Sequence, residues 1–93
     1  MIAHQNRGRR EGDQIVWLLF NHRIEFVQSE FDEIIYAIRN GGLFAYLDRE
    51  RPALRSRMSG ILSEELPEGV FESAGDEEFY LEQCLLGLGD RVR

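Results

Sequence analysis

Apolar side chains fall in blocks along this chain, and the spacing inside each block differs. Ile15, Val16, Trp17, Leu18, Leu19 and Phe20 form one continuous run, and after Asn21-His22 comes the alternation Arg23, Ile24, Glu25, Phe26. Periodicity alone does not assign a short apolar run. Its β-branched and aromatic content, with the polar break in its middle, favours a β-hairpin over Gln14 to Gln28 rather than one long helix. Phe31, Ile34, Ile35 and Ile38 then recur at helical spacing. They predict an amphipathic helix from about Glu30 to Asn40, capped by Ser29, with Asp32 and Glu33 in its first turn and Gly41-Gly42 as its stop.

Leu43 to Asp48 is too short to assign by pattern. It could return as a third strand or begin a new helix, and its place after two glycines favours the strand. Pro52 suits a first helical position, and Leu54, Met58, Ile61, Leu62 and Leu66 mark one face of a helix to about Glu65, stopped by Pro67 and Gly69. Arg51 and Arg55 fall at the edge of that face, where apolar stems lie on the core and heads reach carboxylates or solvent; Arg57 points outward. Val70 and Phe71 read as a short extended piece. Ser73 or Asp76 then caps a last helix, expected from about Glu77 to Leu86 and closed at Gly87 or Gly89.

That last helix carries Phe79, Tyr80, Leu81, Cys84, Leu85, Leu86 and Leu88 around more than one face. Such a helix is buried on two sides or forms an interface, so a homodimer through Phe79 to Leu88, or docking onto a larger protein, would cover it. Residues 1–13 hold little apolar bulk and three arginines, and read as a flexible basic arm without core contacts. The expected fold is a small single-domain α+β protein over residues 14–93. A β-hairpin, extended to three strands if Leu43 to Asp48 joins it, is packed by about three helices.

Ninety-three residues allow one core, and 43% hydrophobic with 11% aromatic content is enough to build it despite a net charge of -6. The single Cys84 excludes an intramolecular disulfide and points to a reducing cytoplasm. The N-terminal stretch is too polar for a signal peptide, and no apolar run approaches the roughly 18 residues of a spanning helix, so no membrane contact is expected. Every basic residue is Arg and none is Lys. Genomic coding bias and selection for a planar, bidentate guanidinium both account for that.

Candidate chemistry is sparse, and neither a cofactor nor a metal is expected. His4 and His22 show no spacing that makes a metal face with Cys84 or an acidic pair. Cys84 with His22 as base is conceivable as a nucleophile pair, but a lone Cys among Leu81, Leu85 and Leu86 reads as a small core hydrophobe. Asp76, Glu77 and Glu78 occupy consecutive helix positions that do not converge on one atom, and helix capping explains them. Gly41-Gly42 and Gly87-x-Gly89 lack the partners of a phosphate loop and read as helix stops.

Charge layout narrows the function classes further. Between Met58 and Asp90 there are nine acids and no basic residue: Glu64, Glu65, Glu68, Glu72, Asp76, Glu77, Glu78, Glu82 and Asp90. A one-signed half attracts basic partners and repels phosphate backbones. The leading expectation is therefore a non-enzymatic intracellular protein that occludes a basic surface of another protein, as an inhibitor, regulator or accessory subunit. Glu68, Glu72, Glu77, Glu78 and Glu82 would supply charge, with Phe71 and Tyr80 as anchors. Small acidic proteins that block nucleic-acid-binding enzymes, including those carried by bacterial viruses and plasmids, are a known type. The alternative is a nucleic-acid-binding regulator using Arg7, Arg9 and Arg10 with Arg49, Arg51 and Arg57. Against it stands a sequence pI near 4.9.

Overall fold

The computed structural model describes residues 7–92; residues 1–6 of the expected arm, with His4, and the Arg7 side chain lie outside the described residues. Three antiparallel strands, neighbours in chain order, and four helices make an α+β domain. Strands β2 (Gln14–Leu19) and β3 (His22–Val27) are the expected hairpin. Phe20 at φ 53° and Asn21 at φ 73° turn between them, the double left-handed bend whose twist matches a two-residue hairpin loop.

The third strand is not where the sequence placed it. Arg7–Glu11, read as part of a free arm, pairs with β2 as β1, from Arg7 opposite Leu18 to Glu11 opposite Gln14. Leu43 to Asp48, read as a strand, is helical. The reason for the first correction lies in an alternation without apolar residues. Arg9 and Glu11 share the outer sheet face with Val16 and Glu25, while Gly8 lies opposite Trp17 on the core side. A Cβ at Gly8 would overlap the Leu88 side chain, so this glycine lets a helix press directly on the strand.

On the core face Ile15, Trp17, Leu19, Ile24 and Phe26 meet the helices, with Trp17 and Phe26 stacked at 6.3 Å and Phe26 tilted against Phe31 at 5.6 Å. Helix α1 (Gln28–Asn40) begins two residues before the expected start, directly from β3, and Ser29 does not cap it. Helix α2 (Leu43–Glu50) buries Leu43, Phe44, Tyr46 and Leu47, a spacing of one, three and four that a helix presents on one side. Helix α3 (Pro52–Glu65) buries Leu54, Met58, Ile61 and Leu62 as its pattern predicts. At its edge Arg51 pairs with Glu30, and the Arg55 guanidinium lies 3.9 Å over the Phe44 ring while reaching Asp48 at 3.1 Å.

Helix α4 (Ala74–Arg91) starts earlier and ends later than predicted, running through both Gly87 and Gly89. Gly89 is buried inside the helix rather than stopping it, with the Phe31 ring at ordinary contact distance, 3.7 Å from where a Cβ would be. Leu81, Leu85, Leu88 and Val92 enter the core. Leu85 is fully buried within the single chain, so it is not the interface residue that the two-faced pattern suggested. Among the described residues no helix is long and apolar enough to cross a membrane.

Candidate functional site

The acidic region divides into residues with internal work and residues without. At the start of α4 the Ser73 Oγ accepts from the Asp76 N–H at 3.3 Å, and Asp76 in return accepts from the Glu72 N–H at 3.1 Å. This reciprocal cap fixes the α3–α4 connection. Glu77 accepts from the Ser59 hydroxyl at 2.7 Å, tying α4 to α3. Glu78 accepts from the Phe44 N–H at 2.8 Å and Glu82 from the Leu43 N–H at 2.9 Å.

Those last two bonds matter most for the fold. Helix α2 begins at Gly42 with no side-chain cap of its own, so its orphan N–H groups would lack partners in a part-buried position. One turn of α4 supplies two carboxylates, at positions four apart on one face, to that positive helix end. Gly42, at φ 108°, brings the chain close enough that a Cβ there would stand 3.1 Å from the Glu78 carboxylate.

Glu77, Glu78 and Glu82, three of the five acids expected to meet a partner, thus hold the protein together. Glu68 and Glu72 are exposed, and among the described residues neither has a basic partner. The expected anchors Phe71 and Tyr80 are half-buried and tilted against each other at 5.6 Å, packed on the core. The large apolar groups left in solvent nearby are ones the sequence reading did not choose: Val70 at 45% exposure and Phe79 at 63%. A groove of about 270 Å³ runs along the connection, with Leu62, Leu66, Val70 and Phe71 as apolar lining and Glu68 and Glu77 as acidic lining. The missed signal was the helical wheel: Phe79 lies two residues from buried Leu81 and so faces away from the core.

Other candidates resolve differently. His22 meets an acidic pair after all, with its Nε2 3.2 Å from Glu65 and 3.8 Å from Glu64. The end of α3 and the start of β3 bring these groups within 4.8 Å of one another at the surface. An imidazole–carboxylate pair accounts for that arrangement. Cys84 neighbours Tyr80 rather than His22; burial pushes its thiol above the ordinary value, a direction that opposes nucleophilic use. Burial likewise raises the Tyr80 hydroxyl.

The arginines of the alternative reading are dispersed and engaged. Arg9 pairs with Glu11 at 2.5 Å, Arg49 with Glu50 at 3.0 Å and Arg51 with Glu30, while Arg10 donates to the Gly12 carbonyl at 3.1 Å. Arg57 donates to the Arg23 carbonyl at 2.6 Å. Arg9 and Arg10 lie on opposite faces of β1, and Arg49, Arg51 and Arg57 lie on α2, the link after it and α3, which does not gather them into one basic stripe. No protein-family model, curated protein or solved structure matches this chain.

Proposed function

We propose that this protein is a non-enzymatic, cytoplasmic protein-binding module, an inhibitor, regulator or accessory subunit that covers a basic surface of its partner with the acidic face around the α3–α4 connection. The observation that carries this reading is Phe79, a large aromatic side chain 63% exposed on the outer side of α4. Burying it in a partner would contribute about 1.5–3 kcal/mol, the size of an interface anchor. Glu68 and Glu72 lie in the adjoining connection without basic partners among the described residues and would steer a cationic surface toward it, chiefly by raising the association rate.

The binding surface in this reading is Glu68, Val70, Glu72 and Phe79. Glu77, Glu78 and Glu82 would act on binding only through the fold. Helix α4 needs no second copy to cover Leu81, Leu85 and Leu88, so a homodimer, if formed, would use Phe79. The test is capture of a partner from the source cell by wild type, by Phe79→Ala and by Glu68→Gln/Glu72→Gln. Loss of one dominant basic partner in both variants, with unfolding midpoints unchanged, supports the reading. Retention of that partner in both overturns it, and a concentration-dependent mass lost in Phe79→Ala would reassign the surface to self-association.

A further inference from the structure

A second, larger depression lies between α1 and α2, away from the connection just described. Its volume is about 450 Å³, within the range of ligand sites. Tyr36 stands at its edge with 69% of its surface in solvent, and Tyr46 forms a buried wall whose hydroxyl donates to Glu33 at 3.1 Å. Asp32 and Glu33 both line it.

The charges there favour a cation. Two carboxylates face one lining arginine, Arg49, whose charge is already met by Glu50 at 3.0 Å. The C-terminal end of α1, with Asn40 and Gly41 in the lining, adds the negative end of a helix dipole, while the positive end of α2 at Gly42 is already met by Glu78 and Glu82. A guanidinium is already tolerated against this wall, since the Arg49 Cζ sits 5.9 Å from the Tyr46 ring centroid. An exposed aromatic face beside free carboxylate lone pairs suits a planar, stacking cation better than an ammonium point charge.

We infer that this groove receives an arginine side chain of the basic partner, its guanidinium on the Tyr36 face and its N–H groups toward Asp32 and Glu33. The identity of the occupant rests on the protein-binding reading above; the guanidinium chemistry of the groove does not. The probe is N-acetyl-arginine amide, titrated into ¹⁵N-labelled protein, with N-acetyl-citrulline amide as the neutral, nearly isosteric control. Saturable shifts should concentrate on the Tyr36, Ala37, Gly41, Gly42 and Ala45 amides, and the citrulline compound should bind at least several-fold more weakly. Tyr36→Ala should weaken arginine binding about two- to five-fold, the loss of one exposed cation–π face. Asp32→Asn, which keeps an acceptor for the Gln28 amide now bonded to Asp32 at 2.8 Å, should weaken it several-fold.

Absence of shifts, equal binding of the citrulline compound, or unchanged binding to Tyr36→Ala would overturn the inference. Partner capture separates the two claims. Capture that needs Phe79 and also falls in Tyr36→Ala supports the arginine as the partner's. Capture that needs Phe79 and is full in Tyr36→Ala overturns the partner's arginine as the occupant of this groove while leaving the protein-binding reading intact.

Discussion

Replacing Glu78 and Glu82 together with Ala should destabilise the domain far more than two acids on a helix surface ordinarily would. Each accepts a part-buried backbone N–H at the start of α2, at 2.8 and 2.9 Å. A hydrogen bond to a charged group contributes about 1.5–3 kcal/mol, and loss of a helix cap costs about 0.5–2 kcal/mol. The two bonds cap the same helix end and are not independent, so the double variant should lose about 2–4 kcal/mol. That is a large share of the roughly 5–14 kcal/mol expected for a domain of this length, and the midpoint should fall by about 10–25 °C. Urea unfolding followed by the fluorescence of Trp17, the sole tryptophan and fully buried, reads the change directly. The Gln/Gln variant keeps both acceptors and should fall between. A double Ala variant within about 0.5 kcal/mol of wild type would refute the capping role.

Gly8→Ala forces a methyl into the Leu88 side chain and should cost about 1–3 kcal/mol, with partial recovery in Gly8→Ala/Leu88→Ala by the same urea titration. Burial raises the Cys84 thiol, so the unfolded chain ionises first as pH rises. This contribution is complete below the free-thiol pKa and lost as pH climbs from there through the folded value; stability measured from about pH 7 to about pH 10 should therefore fall less steeply in Cys84→Ala than in wild type. In electrophoretic mobility assays at low salt no nucleic acid should shift, because the arginines are dispersed and the net charge is -6. A salt-sensitive shift lost in Arg9→Ala/Arg10→Ala would instead favour the nucleic-acid alternative.

The hairpin, α1 and α3 were legible because their apolar spacing and their breaks agree. β1 was hidden because Arg9 and Glu11 face outward and its core-side positions are Gly8, whose signal is the absence of a side chain, and the polar Arg10 at the sheet's edge. α2 was misread as a strand although Leu43, Phe44, Tyr46 and Leu47 carry a helical spacing, since one turn and a half of pattern is too little to decide without tertiary context. Gly87 and Gly89 do not end α4 because the apolar face carried by Leu81, Leu85 and Leu88 continues through them into the core, and a glycine inside a helix is tolerated where packing holds the turn.

The site was legible only as a charge imbalance. Which acids are committed to the fold depends on where α2 begins in space, and sequence spacing shows only that Glu78 and Glu82 share a helix face. Glu68 and Glu72 survive as candidate contacts, and the anchor passes from Phe71 and Tyr80 to Phe79. Nothing in the sequence joins Tyr36 to Tyr46; the Gly41-Gly42 link folds their two helices around one groove.

The most direct test places a photo-crosslinking benzoylphenylalanine at position 79 in the source cell, with exposed position 56 on α3 as control. The account predicts one dominant adduct from position 79 to a protein with a basic surface, absent from position 56 and diminished by Glu68→Gln/Glu72→Gln. No adduct at position 79, or the same adducts at both positions, would contradict it.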